Sequence, residues 1–206
     1  MSDLNLAIVY DSSSGGNVTL ANTAAEAAEE AGANVKVAKV AKIAPKSDIV
    51  PNDAWDANQE ATKAIPEAEI DDLLWADAII FSTPTRFGNI SAHMKQFLDQ
   101  AGPAWGEGKL ANKVVSAMTS AQNPHGGQEQ TIRSLYATMM HWGAIIAAPG
   151  YTDGSIFAAG GNPYGTSVTI DPQGNWVEDV TDAVKHQAKR TVQVGKWVKQ
   201  GQANEA

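Results

Sequence analysis

The chain has 206 residues and a formal net charge of −8. That length suffices for one sizeable core, and the acidic balance argues against a general nucleic-acid or anionic-membrane binder, either of which needs a basic face. Hydrophobic residues make up 43% of the chain and cysteine is absent, so the composition is that of a globular domain and excludes disulfide scaffolds, thiolate metal sites and thiol catalysis. A cysteine-free chain fits a cytoplasmic location. No basic segment followed by an apolar one opens the sequence, and no apolar run approaches the ~20 residues of a membrane helix.

In chain order, Leu6-Ala7-Ile8-Val9-Tyr10 reads as a first strand, residues 11–16 as a small polar loop, and the Ala- and Glu-rich residues 18–31 as a helix stopped by Gly32. Residues 35–40 alternate and predict a second strand near a sheet edge. Residues 44–65 are polar, with Pro45 and Pro51, and read as an irregular excursion. A short helix over 67–75 delivers the chain to the apolar run Ala78-Ile79-Ile80-Phe81, a buried parallel strand. The spacing of Met94, Phe97 and Leu98 predicts a helix over 91–100 starting at Ser91. Residues 114–118 read as a fourth strand, 128–142 as a helix, 144–147 as a fifth strand and 179–199 as a closing helix. Strands alternating with helices give an α/β fold, a doubly wound five-stranded parallel sheet with helices on both faces. We expect one domain over residues 1–206, with irregular insertions near 44–65 and 150–175; the second has the composition of a lid or binding loop.

Ligands of such sheets bind outside the carboxyl ends of the strands. Ser12-Ser13-Ser14-Gly15-Gly16-Asn17 follows the first strand, and its glycines, hydroxyls and helix-start amides suit a phosphate. The string is neither GxGxxG nor a P-loop, and on its own it reads equally well as a Ser/Gly turn that caps a helix. Pro84-Thr85-Arg86-Phe87-Gly88-Asn89 breaks the third strand into a loop at the same edge.

This second loop, with Ile90, Ser91, Met94 and Phe97-Leu98-Asp99-Gln100 after it, closely resembles the WrbA-type NAD(P)H:quinone oxidoreductases. The match continues at Gly126-Gly127-Gln128-Glu129-Gln130-Thr131, at His141, at Pro149-Gly150-Tyr151 and at Gly161-Asn162-Pro163-Tyr164-Gly165. The resemblance implies a flavodoxin-like fold, FMN as cofactor and NADH or NADPH as electron donor. It also implies three loops around the flavin: residues 12–17 on the phosphate, Pro84, Thr85, Arg86, Phe87 and Gly88 beside the ring, and Ser120, Ala121, Gln122, His125, Gly126 and Gly127 on its other side. It places His141 near the flavin, Trp105 in the substrate pocket and Ser14 where the nicotinamide approaches, and it implies a homotetramer. The chain departs from the family's pattern at Ser14 and Gly16, and across residues 121–125.

Each of these residues has a plainer reading. Arg86 could pair with Asp99 or Glu129, Phe87 could plug the core, Trp105 could anchor a subunit contact, and His141 could complement a helix dipole. His93 and His186 read as solvent-facing. No His, Asp or Glu grouping has metal-site spacing. The expected activity is two-electron reduction of a quinone by NAD(P)H, FMN-dependent and ping-pong. The alternatives are a flavodoxin-like FMN electron carrier and a non-catalytic flavin-binding protein.

Overall fold

A computed structural model describes residues 3–43 and 53–205. Strands β1 (Leu4–Tyr10), β2 (Ala33–Lys39), β3 (Ala78–Pro84), β4 (Val114–Ala121) and β5 (Ile145–Ile146) pair in parallel in the order β2-β1-β3-β4-β5. The strand order reverses between β1 and β3, which is where open α/β sheets leave a crevice. β2 lies at one edge, and its burial alternates along the strand, as its sequence does.

Side chains of β1 alternate between two cores, as a period of two requires. Leu4, Leu6, Ile8 and Tyr10 pack against α1 (Gly16–Glu30) and α8 (Thr181–Glu205), whereas Ala7 and Val9 join Met94, Phe97 and Leu98 of α4 (Ala92–Asp99) and Ile132, Leu135 and Met139 of α6 (Gln128–His141). β3 and β4 are buried along their whole length, which explains why they read as unbroken apolar runs. Ser91 caps α4 by accepting from the amide of Met94 at 3.1 Å, at the helix start that the sequence indicates.

Three expectations need correction. The excursion over residues 44–65 is not irregular throughout, because residues 53–61 form helix α2 (Asp53–Ala61); residues 44–52 lie outside the described residues. Trp105 stands on a short helix, α5 (Gly102–Gly106). The fifth strand is split. β5 pairs only with Val114 and Val115, while β6 (Ser167–Thr169) pairs in parallel with Thr119, Ser120 and Ala121. β3 occupies the other side of β4 from Ala78 to Pro84, so β5 and β6 share one edge position. The segment between them, expected to be structureless, carries α7 (Gly154–Ala158). The sheet therefore has six strands in five positions.

Gln187 of α8 locks this split edge. Its Nε2 donates to Ser116 Oγ at 2.5 Å and to the carbonyl of Ala117 at 2.8 Å, and its Oε1 accepts from the amide and hydroxyl of Thr166 at 2.6 and 2.8 Å. All of this is buried. Gln187→Leu strands these groups without partners and is expected to cost roughly 2 to 3 kcal/mol, measured as a lowered urea midpoint at unchanged slope.

Candidate functional site

The carboxyl ends of β1, β3 and β4 open into one cleft of about 630 Å³, within the range of small-molecule and cofactor sites. Ser12, Ser13, Ser14, Gly16 and Asn17 line it from the first loop, Pro84, Thr85, Arg86 and Phe87 from the second, and Ser120, Ala121, Gln122 and Gly126 from the third. Thus the three loops singled out from the sequence converge on one place.

The first loop ends in an open helix start. Gly15 caps α1 with φ 110° and no side-chain cap hydrogen bond. The first-turn amides of α1 are therefore left for a ligand, and the helix dipole favours an anion there. The loop itself is strapped down from outside. After β6 the chain turns back so that Gly174 lies against the backbone of Ser14 and Trp176 Nε1 donates to the carbonyl of Gly16 at 3.1 Å. A Cβ on Gly16 would stand 2.6 Å from Ile170 Cγ2, so only glycine fits under the strap. Asn17 is buried and turned inward. Its Nδ2 donates to Ser120 Oγ at 2.9 Å and its Oδ1 accepts from Ser82 Oγ at 3.0 Å, tying the first loop to β3 and the third loop.

The second and third loops touch at glycines, since a Cβ on Gly127 would meet Gly88 Cα at 2.7 Å. The amide of Thr85 donates to the carbonyl of Ser120 at 2.8 Å, and the backbones of Arg86 and Asn89 exchange hydrogen bonds at 2.8 and 3.0 Å. This tight turn puts Phe87 at φ 52°, in the left-handed region, and leaves it fully exposed; Phe87 does not plug the core. Backbone strain of this kind costs about 1–3 kcal/mol and concentrates at functional sites. Arg86 reaches neither carboxylate suggested by the sequence. Its Nη2 donates to Ser13 Oγ at 2.8 Å and its Nη1 to the carbonyl of Thr85 at 3.2 Å, so it bridges the first two loops, while Asp99 pairs with Lys95.

His125 and Gly127 line a separate cleft on the outer side of the third loop. Trp105 and His141 line neither cleft; they meet each other, with Trp105 Nε1 donating to the carbonyl of His141 at 2.8 Å. Gly15 and Gly88 shape their loops from behind the lining.

Sequence reasoning missed His93, Trp55 and Asp11. His93 is not solvent-facing: it lines the cleft, with a side chain 18% exposed. Trp55 of α2 lines it too. Asp11, directly before the first loop, is 1% exposed. Its Oδ1 accepts from Lys42 Nζ at 2.5 Å, and His93 Nδ1 stands 3.5 Å from Oδ2, an ion-pair distance that is long for a hydrogen bond. Burial opposes the charge of Asp11, but His93, Lys42 and Ser91 together outweigh it and hold the carboxyl well below the usual carboxylate range. Lys42 and Asn58 both donate to the carbonyl of Ser12 at 3.1 Å. Burial, with Asp11 beside it, pushes the Tyr10 hydroxyl up to about 12, so it stays protonated at neutral pH. One signal pointed to His93: it falls in the first turn of a helix that starts at the carboxyl edge of the sheet.

The family model of NADPH-dependent FMN reductases matches residues 4–153. The chain belongs to this family. It is 52% identical over 191 residues to an NAD(P)H dehydrogenase (quinone) of Deinococcus radiodurans, covering 93% of this chain and 95% of the relative. It is 35% identical to a protein of the same description from Aromatoleum aromaticum, covering 97% of this chain and all of the relative. A flavodoxin-like, WrbA-like protein from Agrobacterium tumefaciens superposes with a TM-score of 0.65 at 20% identity, over 95% of this chain and 99% of the other. The reduced flavodoxin of Megasphaera elsdenii gives 0.56 at 16% identity, over 91% and 98%. These likenesses show the flavodoxin-like fold, and the curated relatives bear out the resemblance to quinone oxidoreductases. The site fits the family's cofactor in two respects: an uncapped helix start suits a phosphate, and the second and third loops meet backbone to backbone at Gly88 and Gly127, forming one wall of the cleft. Among the described residues no helix is long and apolar enough to cross a membrane, and no group of three or more His, Asp or Glu could hold a metal ion.

Proposed function

We propose that the cleft holds FMN and that the chain is an FMN-dependent oxidoreductase passing two electrons from NADH or NADPH to a quinone. The observation that carries this reading is the convergence of all three loops on one cleft above an uncapped helix start, in a chain 52% identical to an NAD(P)H dehydrogenase (quinone). FMN bound there would supply the redox chemistry between a nicotinamide and a quinone, and the protein would place it. The α1 amides and the hydroxyls of Ser12, Ser13 and Ser14 would hold the phosphate. The second loop, with Arg86 and Phe87, and the third, with Ala121, Gln122 and Gly126, would border the ring. Arg86 also offers a positive charge to the anionic parts of a dinucleotide.

One cleft serving donor and acceptor in turn supports a ping-pong mechanism, in which the oxidised nucleotide leaves before the quinone enters. The chain acts as a single domain, its two cores sharing one sheet. A homotetramer, which rests on the family resemblance, and a cytoplasmic location, which the cysteine-free composition fits, complete the reading. Trp105 and His141 are exposed side by side and line neither cleft, and we assign Trp105 to a subunit contact of the tetramer. The test is direct. NADH or NADPH added to purified protein without oxygen bleaches the flavin's visible absorbance, and benzoquinone restores it. Failure of both nucleotides to bleach bound flavin sinks the reading.

A further inference from the structure

We propose that His93, beside Asp11, is an additional cofactor-binding residue that donates a hydrogen bond to the phosphate of FMN. The inference rests on the FMN reading above. A phosphate ester at the first loop is an anion, yet residues 12–17 carry no charged side chain and the helix start supplies only about half a unit of positive charge. Among the described residues, two basic side chains line the cleft, Arg86 and His93. Arg86 commits donors to Ser13 and to the carbonyl of Thr85.

His93 is placed differently. It stands in the first turn of α4, and its Nδ1 faces Asp11 Oδ2 at 3.5 Å. Nδ1 is thus the ring nitrogen on the carboxylate side, and Nε2, which has no hydrogen bond among the described residues, is left for a ligand. Lys42 sits on the carboxylate's other oxygen at 2.5 Å and lines a neighbouring cleft instead of this one. Lys42, Asp11 and His93 thus form a row of side chains that ends in the cofactor cleft. The same row holds the first loop, since Lys42 also donates to the carbonyl of Ser12 at 3.1 Å.

The discriminating ligand is riboflavin, which is FMN without the phosphate. The full chain, stripped of flavin, is titrated with FMN and with riboflavin by the quenching of flavin fluorescence. His93→Ala is expected to weaken FMN by about tenfold or more, the worth of a charge-assisted hydrogen bond, and to leave riboflavin within about twofold. His93→Leu, which fills much of the same space but offers no hydrogen-bond donor, is expected to show the same selective loss, with circular dichroism confirming the fold of both. FMN affinity within about twofold of wild type in both variants overturns the inference, as does an equal loss for FMN and riboflavin. If the unmodified chain takes up no FMN, the proposed function falls and this inference with it; if it binds FMN while both variants match it, the inference alone fails.

Discussion

Gly174→Ala is expected to cost the protein about 3 kcal/mol and at least tenfold in FMN affinity. Gly174 has φ +88°, where an L side chain is strained by roughly 1–2 kcal/mol. Its missing Cβ would stand 1.8 Å from the carbonyl oxygen of Ser14 and 2.5 Å from the carbonyl carbon. Both contacts are with backbone, so no rotamer change relieves them; the strap or the first loop has to move. Ser14 sits in the proposed phosphate loop, and the carbonyl of Gly16, held by Trp176 Nε1, lies at the start of α1. Displacing either misaims the amides that await the phosphate. Thermal melts and FMN titration of the variant measure the two effects. Gly201→Ala is the control, because a Cβ there meets nothing within 4 Å and the position lies in the last turns of α8, where alanine is the better helix former. Equal behaviour of the two variants would show that the strap does not set the loop.

Asp11→Asn is expected to destabilise the chain by about 3 kcal/mol at neutral pH. Asp11 is 1% exposed and sits between Lys42 and His93. Removing its charge leaves two basic groups facing each other across a buried amide, and breaking a buried pair in this way typically costs 3–5 kcal/mol. Lys42 keeps partial access to water at 21% exposure, which puts the figure at the low end. The pH dependence follows from the direction of the shift. The carboxyl is held below the usual carboxylate range in the folded chain, so its stabilisation is complete above about pH 4, the ordinary aspartate value, and is lost as pH falls from there towards the folded-state value. Urea denaturation of both proteins at pH 7 and near pH 3 checks this. The gap should narrow in acid, and a gap that stays constant would show that the charge of Asp11 is not what matters.

Much of the fold was legible because it depends on local chemistry. β3 and β4 announce themselves as apolar runs, since a central parallel strand is buried on both faces. α4 announces its start through Ser91 and its buried face through Met94, Phe97 and Leu98. Two of the cofactor loops were legible for the same reason, as breaks directly after a strand. The split of the fifth strand was not. β6 has three residues, too few for a periodic pattern, and its place is set by pairing with β4 and by the hydrogen bonds of Gln187 from α8. Phe87 could not be assigned either, because a phenylalanine after a buried strand suits a core as well as a tip; the turn between Arg86 and Asn89 decides the matter.

The sequence by itself determined the parallel α/β class, the family and the loops that converge on the cleft, because strand burial, helix caps and glycine turns are written within a few neighbouring residues. Tertiary structure alone decided how those loops are held and charged. Gly174 reaches Ser14 across the chain, Asn17 joins Ser82 and Ser120, and Asp11 gathers Lys42 and His93 from two other elements. These are contacts between residues distant in sequence, which no local pattern encodes. They also account for His93, which reads as a surface histidine until the packing of α4 against the end of β1 sets it beside a buried carboxylate at the rim of the cleft.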